Sequence, residues 1–227
     1  MVEPRWLADL ARFRSECYGI LGFWFSAPPD RVLGPILDAI GHLSPPGAQV
    51  RSLPFHATWE TFLQQVAQVR TNDASCFSGA YGVLFDPYTG RVPLAESRYV
   101  QPDAVVQCEV VAAIEHAYSQ NGIRATTPHP PDHLSCELSF ASLLCALEAD
   151  AWDEGDITLV CASLAQQRSF LADHLCRWVP LLNARLARHE TGGIYVPAAR
   201  AAWAVASHDR DMAEFLLAAL REGVRAG

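Results

Sequence analysis

The chain has 227 residues, with 17 basic ones, all arginine, against 25 acidic ones, for a net charge of −8 at neutral pH. Half of its residues are hydrophobic, enough for a sizeable core and too many for wholesale disorder. The acidic balance and the lack of any basic run exclude nucleic acid as a natural partner, and no apolar stretch is long enough to span a bilayer.

Taken in chain order, the hydrophobic pattern follows the helical period almost throughout. Trp6, Leu10, Phe13, Cys17, Ile20, Leu21 and Trp24 form one stripe, ended by Pro28 and Pro29. Val32, Leu33, Ile36, Leu37 and Ile40 predict a shorter helix that stops near the SPPG turn. A third carries Trp59, Phe62, Leu63, Val66 and Val69, and a fourth Phe77, Tyr81 and Leu84. The pattern then breaks over residues 86–103, a long loop rich in proline whose apolar content argues against disorder.

Val105, Val106, Val110, Ile114 and Tyr118 restart the helical repeat, and Asn121-Gly122 supplies a stop. Residues 123–131, IRATTPHPP, read as a stiff connector and possible hinge between an N-terminal part, 1–122, and a C-terminal part, 132–227. Beyond it lie the helix within 128–150 and another from about Asp156 to Trp178, with Pro180 bending or interrupting its continuation. Gly192-Gly193 ends the next segment, and two short helices follow, around Trp203 and around Phe215 to Leu220. The expected fold is all-α, one globular domain of about nine or ten helices.

Seven cysteines, an odd number with no Cys-x-x-Cys pair, lie mostly in apolar helical patterns, as free buried thiols do. They point to a reducing compartment, and the start shows no signal-peptide core, so a cytoplasmic setting is expected. No zinc, di-iron, phosphate-loop or nucleophile-elbow motif occurs, and no cofactor or metal is implied. The segment PHPPDHLSCELSF, 128–140, concentrates the groups able to carry protons. With Pro131 in the first turn, Asp132 lies near a helix N-terminus, and His133 and Glu137, four apart, share a face close enough to hydrogen-bond. The plainer expectation is that Asp132 caps and His133 docks the preceding loop.

Three pieces, in order, carry a family likeness. The first is Tyr81-x-x-Leu84-Phe85 with Gly90-Arg91-Val92-Pro93-Leu94 and Glu96-Ser97. The second is Pro130-Pro131-Asp132-His133 running into Glu137-Leu138-x-Phe140, and the third is His174-Leu175-x-x-Trp178-x-Pro180. With these the chain resembles the TorD/DmsD/NarJ family of cytoplasmic chaperones for molybdenum-cofactor oxidoreductases. The resemblance implies a TorD-like helical fold and no catalysis. It implies a protein that binds the twin-arginine signal peptide and the apo form of a molybdopterin-containing catalytic subunit, assisting cofactor insertion and preventing premature export. It permits a monomer or a domain-swapped dimer. One departure stands out: His129 occupies a place where the family often has an acid.

A twin-arginine signal has a cationic start and then an apolar segment of about 7–15 residues. Holding it takes an apolar groove with carboxylates at one end. Tyr81, Leu84, Phe85, Pro93 and Leu94 are the candidates for the groove, and Glu96, Asp132 and Glu137, with His133, for its acidic edge. Two rivals are a small hydrolase or lyase using His133 with Asp132 or Glu137, and a helical assembly subunit that ignores the signal.

Overall fold

The computed structural model describes residues 4–45, 47–71, 75–86, 88–100, 104–124, 128–189 and 193–226, with the side chains of 70–71, 75–76, 104–106 and 223–226 excepted. The middle of the connector, 125–127, the first glycine of the 192–193 pair and the side chains of Val105 and Val106 therefore lie outside the described residues. Among those described, ten α-helices occur and no strand, only a single bridge between Ala95 and His133.

Helix α1 (Pro4–Ser26) opens on a proline, whose missing N–H costs nothing at a first helical position. Its stripe from Leu10 to Trp24 is buried. Against it, antiparallel, lies α7 (Leu134–Glu154), and small residues let the two backbones come close. Ser15 Oγ donates to the Ser142 carbonyl and Ser142 Oγ to that of Ser15, both at 2.8 Å. A Cβ on Gly22 would stand 3.3 Å from the Ser135 carbonyl oxygen.

Around this pair pack α2 (Pro29–His42), α3 (His56–Thr71), α4 (Ser75–Phe85), the one-turn α5 (Ser97–Val100), α6 (Ala104–Gln120), α8 (Ile157–Asp173), α9 (Leu175–Leu186) and α10 (Tyr195–Ala226). A 3-10 turn, Ala48–Ser52, fills the segment after α2. Gly122, at φ +70°, follows α6, so the stop at Asn121-Gly122 is as expected.

Three boundaries differ from the sequence expectation. The long helix from Asp156 does not run to Trp178; it breaks at His174 (φ −120°, ψ −95°), whose ring turns to Glu96. Pro180, the visible breaker, sits inside α9. The two short C-terminal helices are one, since no glycine or proline separates them and Asp209, midway, is drawn into the core by Arg14. No helix among the described residues is long and apolar enough to cross a membrane.

Most of the core is one apolar cluster in which Trp24, Phe25, Phe85 and Tyr195 meet at aromatic distances. At its edge lies a fully buried ionic group. Arg14 on α1 reaches Glu148 on α7 at 2.6 Å and Asp209 on α10 at 3.3 Å, and Gln167 on α8 donates to Glu148 at 2.8 Å. Cys17, Cys108, Cys136, Cys145, Cys161 and Cys176 are free thiols.

Candidate functional site

The 91–97 loop and the start of α7 are stitched together by backbone bonds. Leu134 N–H donates to the Leu94 carbonyl at 2.7 Å, and Glu96 N–H to that of Asp132 at 2.9 Å. Two tyrosines staple the same junction from either side, Tyr118 to the Pro131 carbonyl and Tyr99 to that of Pro93. The prolines at 128, 130 and 131 stiffen this entry, which turns over 130–133 with the His133 N–H on the Pro130 carbonyl at 3.0 Å, and α7 begins at Leu134, not at Pro131.

This junction turns the expected acidic edge inward. Asp132 is buried, and its carboxylate accepts from the Ser97 N–H that opens α5, at 3.1 Å. His133 is the N-cap of α7: its Nδ1 lies 2.7 Å from Ser135 Oγ and accepts from the Ser135 N–H, while its ring stacks on His129 at 4.1 Å. Glu137 is completely buried and accepts from the Trp178 indole at 2.9 Å. His133 and Glu137 thus take separate partners instead of pairing. Glu96, also buried, pairs with His174 Nδ1 at 2.8 Å. His129, the departure from the family pattern, reaches the Ser26 carbonyl and ties α7's approach to the end of α1.

The apolar candidates are equally inward. Leu84, Phe85 and Leu94 belong to the main cluster, and Tyr81 is half-buried, its hydroxyl donating to the Phe25 carbonyl. Pro93 is partly exposed, and its carbonyl holds Tyr99. The structure therefore brings Glu96, Asp132, His133 and Glu137 together around the loop–α7 junction and places Tyr81, Leu84 and Phe85 in the α4 packing. As an exposed lip of carboxylates, the expectation is corrected: a helix face is read from spacing, but Trp178, His174 and Tyr118 cover this one from distant parts of the chain.

The electrostatics follow from that burial. Glu137 holds its proton well above the usual carboxyl range because it is desolvated and because Glu96 and Asp132 lie near, with the Trp178 bond pulling the other way. Burial, and then His129, pushes His133 down to about 3. A base that weak does not take a proton near neutrality, which argues against the acid–base reading of His133.

Beside this junction a groove of about 750 Å³ opens between α6 and α8. Val110 and Ala117 from α6, and Phe140 and Phe170 from α7 and α8, supply apolar walls; Glu96, Glu109 and Asp173 supply carboxylates. Glu109 and Asp173 are exposed, and Arg177 shares the rim with its guanidinium on the Asp173 carbonyl. Glu96, with His174 beside it, is the one sequence candidate that lines this groove. The other carboxylates were missed because α6 and α8 are far apart in sequence and neither shows a motif there. Among the described residues no three of His, Cys, Asp or Glu gather as a metal site.

A family model described as nitrate reductase delta subunit matches residues 51–184, from the 3-10 turn through most of α9. No curated protein and no solved structure matches the chain.

Proposed function

From the premise that this chain belongs to the nitrate reductase delta subunit family, a family of molybdoenzyme maturation chaperones, we propose that it binds the twin-arginine signal peptide and apo form of a molybdenum-cofactor oxidoreductase, assisting cofactor insertion and preventing premature export. The observation that carries this reading is the groove between α6 and α8, apolar along its walls with three carboxylates against one guanidinium. Arginine pairs with carboxylates bidentately, which would fix the direction of a bound signal, and the apolar walls suit the segment that follows. A helical signal would present anchors at i, i+3, i+4 and i+7 along such a groove. In this reading the exposed Glu109 and Asp173 meet the peptide, while Glu96, Asp132, His133 and Glu137 hold the frame that positions them, together with Tyr81, Leu84, Phe85, Pro93 and Leu94.

Titration of the purified chain with a twin-arginine peptide and its Lys-Lys counterpart tests the proposal. The arginine peptide is expected to bind more tightly, and Glu109→Ala/Asp173→Ala to weaken it about tenfold or more, one charge-assisted contact being worth about 1.5–3 kcal/mol. Equal affinity for both peptides, or no effect of the double variant, rejects the groove. No heat with either peptide while the apo client stays attached would leave a family chaperone that ignores the signal.

A further inference from the structure

Resting on the signal-peptide reading of the α6–α8 groove, we propose that the end of this groove away from α9 is a separate subsite, one that takes polar, uncharged residues after the apolar segment of the bound peptide. The groove has an order along its length. The start of α6 follows α5, whose Tyr99 packs on Trp178 of α9 at 5.3 Å, and near the other end of α6 Tyr118 lies 6.4 Å from Phe170 on α8. The two walls therefore run antiparallel, Glu109 facing the 173–177 stretch and Gln120 the 165–166 stretch. The lining carboxylates, Glu96, Glu109 and Asp173, gather toward α9, and Val110, Ala113, Ala117, Phe140 and Phe170 form the apolar middle. Beyond them come Gln120, Asn121 and Gln166, with a ring nitrogen of His116 3.0 Å from the Gln120 amide. Among the described residues no acid and no arginine lines that end.

Each side-chain amide carries both donors and an acceptor, so the three together suit peptide backbone and hydroxyl or amide side chains. They hold no charge with which to neutralise an arginine. Asn121 Nδ2 donates to the Ala117 carbonyl at 3.1 Å, which steadies that amide and leaves its oxygen for a further donor. Gln120 is exposed and Gln166 half-buried, so a segment lying in the groove reaches both. From Glu109 to Gln120 the α6 wall covers about 17 Å, about three helical turns. An apolar segment of about 7–15 residues, wound as a helix, spans a similar length. A peptide whose arginines pair with Glu109 and Asp173 thus brings the residues after its apolar stretch to the amides. Turned round, the same peptide sets its arginines against neutral groups and loses both sets of contacts.

Calorimetry is the test, with synthetic peptides alike through the arginine pair and the apolar segment that either stop there or continue as a Ser-Asn-Gln or an all-aspartate tail. The Ser-Asn-Gln tail is expected to tighten binding about threefold or more over the truncated peptide. Gln120→Ala/Gln166→Ala should abolish that gain while leaving the preference for arginine over lysine. A photoreactive group on the last residue of the tailed peptide should cross-link to the 116–121 or 165–169 stretch, and one just before the arginines to the 173–177 stretch. The cross-links use the parent chain and so hold even should the double variant lose helicity. No gain from the tail, a gain that survives the double variant, tighter binding of the aspartate tail, or cross-links at the opposite ends overturns the subsite, while a preference for arginine over lysine would still uphold the groove. Peptides that do not bind at all reject the groove and the subsite with it.

Discussion

Asp132 shows what the buried junction asks of single residues. Its carboxylate caps α5 through Ser97, and its carbonyl accepts from Glu96. Asp132→Ala leaves the Ser97 N–H buried without that acceptor, and the expected loss of stability is about 1–3 kcal/mol, read as a lower urea midpoint. The pH profile separates its neighbours by sign. Glu137 binds its proton more tightly folded than unfolded, so its contribution is complete below the unfolded value of about 4.3 and is lost as pH rises through the higher folded value. Glu137→Gln keeps an acceptor for Trp178 and removes that titration, so the variant should gain on the parent as pH rises from about 4.5. His133, pushed down to about 3, has the opposite sign: the unfolded chain takes the proton first, and stability is lost as pH falls from 6.5 toward 3. His133→Asn keeps a capping acceptor and should flatten that acid limb. Urea midpoints across pH that stay parallel for parent and variants would refute both assignments. The motif was legible in sequence, but the plainer expectation that Asp132 caps the helix and His133 docks the loop has the two roles exchanged: His133 is the N-cap of α7, and Asp132 holds the loop through Ser97. The inward turn of Glu137 was not legible, because nothing local reveals that Trp178 will cover it.

At the scale of elements, the α1–α7 seam depends on side chains that are nearly absent. Gly22 faces Ser139 Oγ at 3.2 Å and the Ser135 carbonyl at 3.3 Å from where its Cβ would be, whereas Gly19 has 3.6 Å to Ser142 Oγ. Gly22→Val should cost about 1–3 kcal/mol by forcing the helices apart, while Gly19→Ala should be neutral or gain up to about 1 kcal/mol from helix propensity. Thermal midpoints of the two variants, moving the same way by the same amount, would show that the seam is not what holds the pair. Where sequence carries a start or stop signal, the elements were legible: Pro28-Pro29 after α1, Asn121-Gly122 after α6, Asp156 before α8. The break at His174 has no such signal, since it comes from the pull of Glu96, and α10 was divided only because its polar middle hides a buried aspartate.

Across the whole molecule, the buried ionic group is the point where four helices answer to one charge. Arg14 holds Glu148 and Asp209, two carboxylates to one guanidinium, and burial together with Glu148 raises Asp209 to about 6 despite the pull of Arg14. Arg14→Met strands both acids in the interior, where a broken buried pair costs about 3–5 kcal/mol. Against a total stability of about 5–15 kcal/mol, that is enough to loosen α10 from α1 and α7 at neutral pH. The sign of Asp209 gives the loss a direction. Its folded pKa lies above the unfolded one, so its contribution is present at acid pH and is lost as pH rises through about 6. Arg14→Met should therefore regain part of its stability when the pH is lowered from 8 to 5, as Asp209 takes its proton. Asp209→Asn, which leaves Arg14 facing the single charge of Glu148, should be nearly neutral at pH 5 and equal or exceed the parent above pH 6. Chemical denaturation of the three proteins at pH 5 and 8, followed by far-UV circular dichroism, decides it: an Arg14→Met chain as stable as the parent at pH 8 would mean that apolar packing alone docks α10.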